Sequence, residues 1–148
     1  LSRLVGSEMC IRDSSEIIKP NTKIEPYNVV EIQLISLKNN DKPDKDFGIE
    51  QTWEFAHPEN KMNTGPLNNF KKMLKNEIYS ILLNHKDHKI EEVYNNKKIA
   101  IYDVIILGSD NFYYEFKWQV ERYDGKGSLN NCWLTTAVSN PVSLGASI

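Results

Sequence analysis

The chain has 148 residues and a mass of 17.1 kDa, with 40% hydrophobic and 26% charged residues and a net charge of −2. That is the size and composition of one folded domain, and a pI of about 5.9 excludes a broad basic footprint for nucleic acid. No apolar run approaches the ~18–20 residues that cross a bilayer, and the two cysteines give neither a disulfide scaffold nor, with the histidines, zinc spacing.

Leu1–Ser14 reads LSRLVGSEMCIRDS. It lacks the order of a signal peptide and any helical or strand period. GSEMCIRDS resembles the translation of a sequencing-adapter remnant, so residues 1–14 are read as an artefact and set aside. Cys132 is then the one genuine cysteine, and the natural N-terminus, with any targeting signal, is expected to be missing. The remainder is expected to be soluble.

Residues 15–25 read as a linker, with Ile17 and Ile18 its apolar pair. Glu25-Pro26 opens a helix, because proline suits a first turn and pushes its predecessor to extended backbone. Tyr27, Val30, Leu34 and Leu37 form its apolar stripe, widened by Val29 and Ile32. Asn39-Asn40-Asp41 ends it. A second helix is expected over Asp46–Ala56, with Ile49, Trp53 and Ala56 on one face and Gly48 near its start. His57-Pro58 closes it, and Glu59–Gly65 reads as a loop. Thr64 is placed to cap a third helix that has Pro66 in its first turn and Leu67, Phe70, Met73 and Leu74 as its stripe. Ile78–Leu83 is too short for its period to decide between strand and helix.

Beyond Asn84 the composition turns to Ile, Val, Tyr, Phe and Trp. Strands are expected over Ile90–Tyr94, Lys98–Leu107, Phe112–Tyr123 and Cys132–Val138, separated by hairpin signals. Phe112, Tyr114, Phe116, Trp118 and Val120 fall on one face of the third strand, and charged residues fall on the other. Lys98–Leu107 is apolar on both faces, which places it centrally. Ser139–Ile148 reads as a loose tail. Helices followed by an antiparallel meander give an α+β domain over residues 26–138, with helices packed on a curved sheet that encloses a cone-shaped pocket.

Four segments carry a resemblance. Val29-Val30-x-x-Gln33-Leu34-x-x-Leu37-x-x-Asn40-Asp41, Phe55-Ala56-His57-Pro58-x-Asn60-Lys61, Thr64-Gly65-Pro66-Leu67-x-x-Phe70 and Cys132-Trp133-Leu134-Thr135 resemble, in order, the family called domain of unknown function 4864. His57 departs from its pattern, where a small residue, usually Ser, is expected. That family is similar to the nuclear transport factor 2-like superfamily, so the resemblance implies a cystatin-like cone. The superfamily holds isomerases, dehydratases, hydrolases and binding modules, and a shared fold does not transfer chemistry.

Cone enzymes place a carboxylate in an apolar pocket, where burial raises its pKa into a useful range. Asp103, mid-strand in KIAIYDVIILG, is the candidate acid. It shares parity with Ile99, Ile101 and Ile105, and lines the cone if that face is the concave one. Tyr102, Tyr114, Phe116, Trp118, Trp53 and Trp133 are the candidate pocket-lining residues, with ordinary core packing as the alternative for the aromatic stripe. His85-Lys86-Asp87-His88 offers two imidazoles and a carboxylate, but without further ligands no metal site is assigned. Thr64-Gly65-Pro66 is read as a structural cap and Cys132 as a buried thiol. No P-loop, dinucleotide fingerprint or nucleophile elbow is found, and no cofactor is expected. Three readings stand: a non-catalytic module for a small apolar or amphipathic ligand or a protein partner, a small cone-pocket enzyme, and a subunit that dimerises through the open sheet face.

Overall fold

The structure is a computed structural model and describes residues 16–147. The expectations for residues 1–14, including Cys10, lie outside it. Among the described residues four helices precede five strands: α1 (Pro26–Lys38), α2 (Phe47–Glu54), α3 (Pro58–Thr64), α4 (Leu67–Leu74), a 3-10 turn (Ser80–Leu82), β1 (Asp87–Asn95), β2 (Ile99–Leu107), β3 (Tyr113–Arg122), β4 (Trp133–Val138) and β5 (Val142–Gly145). The strands form one curved antiparallel sheet in the order β1-β2-β3-β4, with β5 also on β3. β4 pairs with Trp118–Arg122 and β5 with Tyr113–Glu115, so the two share one edge of β3. The protein is α+β, helices first, as its sequence pattern predicts.

α1 starts where proline allows. Glu25 is extended (φ −75°, ψ 158°) and Pro26 sits in the first turn. Val29, Val30, Leu34 and Leu37 of α1 are fully buried, whereas Tyr27 is 42% exposed. Facing them are Ala100, Tyr102, Val104 and Ile106 of β2 and Phe116, Trp118 and Val120 of β3, all buried. Tyr102 lies opposite Trp118 and Val104 opposite Phe116, so these side chains share the helix-facing side. Each such side chain contributes roughly 1.5–3 kcal/mol of transfer free energy, offset by the ordering of the chain.

The turn after α1 seats α2. Asn40 Oδ1 accepts from the Ile49 N–H at 2.9 Å, and the Asn40 carbonyl accepts from the Gly48 N–H at 2.8 Å. Gly48 lies against the backbone of α1, and a Cβ there would stand 2.1 Å from the Ser36 carbonyl oxygen. The sequence shows Gly48 only as tolerable near a helix start. In the fold it is the point where two helices touch backbone to backbone.

Three other segments differ from expectation. Residues 58–64 form α3 rather than a loop, because Pro58 fits the first turn and His57 Nδ1 accepts from the Glu59 N–H at 3.1 Å. Thr64 does not cap α4. Its hydroxyl donates to the Asn60 carbonyl at 2.8 Å inside α3, and α4 begins after Pro66 with no side-chain cap. Residues 142–145 pair with β3 as β5 instead of hanging loose. The linker is also tied down. Gln51 exchanges two hydrogen bonds with the backbone of Ile18, at 2.7 and 2.8 Å, and Ile18 and Ile24 pack on the core.

Gly48→Ala is expected to lower the urea-unfolding free energy by about 2 kcal/mol or more, since the contact it violates is backbone and cannot swing aside.

Candidate functional site

One apolar cavity opens between the helices and β4. It has a volume of about 270 Å³. Its apolar wall includes Trp53 of α2, Phe70 and Met73 of α4, Tyr79 beside the 3-10 turn and Trp118 of β3. Its polar lining comes from Gln33, Thr52, Asn60 and Thr135, and exposed Asn63 and Ala137 stand at its mouth. Among the described residues, no Asp, Glu, Lys, Arg, His or Cys lines it. Burial raises the phenol of Tyr79 above its ordinary pKa, so the group stays protonated at neutral pH and donates to the Val138 carbonyl at 3.1 Å.

Gln33 organises the floor. Its Oε1 accepts from Trp118 Nε1–H at 2.9 Å and from the Thr135 hydroxyl at 2.6 Å. Its Nε2 donates to the Thr52 carbonyl at 3.1 Å. One carboxamide, 1% exposed, therefore joins α1, α2, β3 and β4. Thr135 is held independently: its N–H donates to the Phe55 carbonyl at 2.7 Å, and its carbonyl accepts from the His57 N–H at 2.9 Å. Asn60 then donates from Nδ2 to the carbonyls of Thr135 and Thr136, at 3.3 and 2.8 Å.

Asp103 is not in this cavity. It faces Lys117 across β2 and β3, and its carboxylate pairs with Lys117 Nζ at 2.5 Å on the outer side of the sheet. The physical reason is parity. Ala100, Tyr102, Val104 and Ile106 point to the helices, so Asp103, with Ile99, Ile101 and Ile105, must point away. Phe116 and Trp118 occupy the helix-facing side, so they do not share a wall with Asp103. Hydrogen bonding to Asp103 raises the pKa of Lys117.

Of the candidate lining residues, Trp53 and Trp118 reach the cavity. Phe116 is core and meets Trp118 edge-on at 6.5 Å. Tyr102 is core beside Tyr27, with ring centroids 6.0 Å apart. Its buried hydroxyl has no partner among the described residues, and desolvation pushes its pKa to about 12. Tyr114 lies outside the cavity lining and donates to Asp110 Oδ2 at 2.6 Å. Trp133 borders a separate polar cleft with Glu25 and Arg122. Gln33, Thr135 and Asn60 are the site residues that aromatic and acid–base reasoning passed over. Gln33 left one signal: it is a polar residue one turn from Val29 and Val30 and one turn from Leu37, on the buried stripe of α1.

His85 and His88 bond to each other instead of framing a metal site. The Leu82 carbonyl can only accept, so His85 donates to it from Nδ1 at 2.8 Å. His85 Nε2 is then the acceptor for the His88 Nδ1–H at 2.8 Å. Among the described residues no group of three or more metal-ligating side chains forms. Burial lowers both pKa values, that of His85 to about 4, and the charge of Lys38 at the end of α1 acts in the same direction. Cys132 is buried, and desolvation raises its thiol pKa. No family model matches the chain, and neither a curated protein nor a solved structure matches it.

Gln33→Leu strands an indole N–H and a threonine hydroxyl inside the core, while the Thr52 carbonyl keeps only the Phe55 N–H. It is expected to cost about 3 kcal/mol or more in denaturant unfolding.

His85 gives a pH prediction. Its folded pKa of about 4 lies below its ordinary 6.5, so the unfolded chain binds the proton first as pH falls. The stability tied to neutral His85 is complete above ~6.5 and is lost as pH falls toward ~4. Between pH 7 and pH 5 this one group is expected to remove about 2 kcal/mol, read from urea curves at both values. His85→Gln should lack that loss.

Proposed function

We propose that this protein is a non-catalytic binding module that takes a small apolar or amphipathic ligand in the cavity beneath α3 and α4. In this reading the curved sheet and its helices are a cystatin-like cone of the nuclear transport factor 2-like kind, the fold that the four resembling segments imply. The observation that carries the reading is the lining: about 270 Å³ walled by aromatic and aliphatic side chains, with a few fixed polar groups and, among the described residues, no acid or base that titrates near neutrality. The volume falls just under the ~300–1,000 Å³ of small-molecule pockets. General acid–base catalysis needs a group poised near the working pH and within reach of the substrate. Asp103 is the carboxylate on which the enzymatic alternative rested, and it is engaged with Lys117 on the far side of the sheet.

A second reading concerns that far side. Ile99, Ile101, Ile105 and Leu107 stand there half-buried around the Asp103–Lys117 pair. Such a stripe suits a second copy of the chain. Light scattering tests it, and a monomer at high concentration removes it.

The primary reading is tested by titrating small neutral bicyclic aromatics into 15N-labelled protein. The Trp118 Nε1–H and the Gln33 and Thr135 amides are expected to shift. Ala137→Trp, which sets a ring at the mouth, should weaken binding at least tenfold, and Asp103→Asn should leave it unchanged. Absence of any shift in the cavity residues, or loss of binding in Asp103→Asn, overturns the proposal.

A further inference from the structure

The cavity's hydrogen-bonding groups have a definite sense. Each hydroxyl that lines it spends its hydrogen on the protein. Thr52 donates to the Gly48 carbonyl at 2.8 Å, Thr64 to Asn60 at 2.8 Å, and Thr135 to Gln33 Oε1 at 2.6 Å. Tyr79 donates to Val138 at 3.1 Å, and Thr136 reaches the Gln119 carbonyl at 3.5 Å. The two Asn60 Nδ2 hydrogens go to the carbonyls of β4, and the indole N–H of Trp118 goes to Gln33. Gln33 Oε1 has both lone pairs filled.

What is left over is mostly lone pairs. Oγ1 of Thr52 and Thr135 and Oδ1 of Asn60 accept from no other described residue, and all three side chains line the cavity. Thr52 and Thr135 are each 6% exposed, so bulk water does not freely satisfy them. Against these acceptors stands one uncommitted buried donor, the second hydrogen of Gln33 Nε2. A carboxylate ligand would meet no cation in the lining and a row of like-signed oxygen lone pairs, and its desolvation would go uncompensated. A neutral molecule with a hydroxyl or N–H would meet acceptors already fixed in place.

We infer that the ligand of this cavity is a neutral, largely apolar molecule that presents a hydrogen-bond donor, received by the hydroxyl oxygens of Thr135 and Thr52. The inference rests on the binding reading above and adds the ligand's chemical class. It separates alcohols, phenols and N–H heterocycles from fatty acids, other carboxylates and acceptor-only ethers. The selectivity arises because the cavity's own donors are consumed by bonds inside the protein, some within α2 and α3 and some between elements.

The test uses matched probes of nearly one shape. Indole carries an N–H, benzofuran replaces it with an ether oxygen, and indole-2-carboxylate adds a charge. Dissociation constants are read by NMR titration on the whole chain, with Thr135→Val and Thr52→Val as variants that keep the shape and remove the acceptor. Indole is expected to bind about fivefold or more tightly than benzofuran, with the carboxylate weakest. That preference should collapse in at least one of the two variants, with the loss falling on indole more than on benzofuran. Benzofuran binding as tightly as indole overturns the donor assignment and leaves the cavity a binding site. A preference that survives in both variants overturns the assignment to Thr135 and Thr52. If no probe perturbs the cavity residues, the binding reading itself falls, and this inference falls with it.

Discussion

The Gln33 carboxamide is the constraint on which the rest of the structure depends. A buried amide is costly unless its groups are bonded, and here both of its heavy atoms are engaged. Its oxygen fixes the Trp118 ring and the Thr135 hydroxyl, and its nitrogen fixes the C-terminal half of α2. Because these partners come from three elements and Gln33 itself from a fourth, the carboxamide ties the helical layer to the sheet. The cavity is the space beside that tie that apolar side chains do not fill.

Much of the scaffold can be read from the chain. Period and punctuation are enough for α1, because Pro26 and Asn39-Asn40-Asp41 bracket a strong stripe. Alternation is enough for β3, where Phe116, Trp118 and Val120 separate cleanly from charged neighbours. β2 is harder for a physical reason. Its two faces are both rich in Ile and Val, so composition gives no parity, and Asp103 could point either way. The deciding information is tertiary: Tyr102 lies opposite Trp118, so Asp103 lies opposite Lys117. α3 is missed because its signal is a cap and a proline, with no buried face behind it. β5 is missed because four residues, VSLG, carry no period that distinguishes a short edge strand from a tail.

The site was less legible than the fold. Titratable and aromatic residues draw attention in a sequence because they carry chemistry. The residues that shape this cavity are mostly amides and threonines, whose role is set by where their hydrogens go. Only geometry reveals that. Gln33 on an apolar stripe was the one visible anomaly, while Thr135 and Asn60 gain their places from a contact between the end of α2 and β4 some eighty residues along the chain.

That same contact bears on self-association. A strand at the margin of a sheet exposes a row of unpaired backbone groups, which is a template for adding a foreign strand. β4 is such a margin, and the Phe55–His57 segment and the Asn60 amide occupy the backbone groups of Thr135 and Thr136 there. The helix that roofs the cavity is thereby also a guard on the sheet's rim. Local opening of α3 would unroof the cavity and release the Asn60 bonds to the Thr135 and Thr136 carbonyls in one event, so the cavity's cover and part of the strand's guard are a single element.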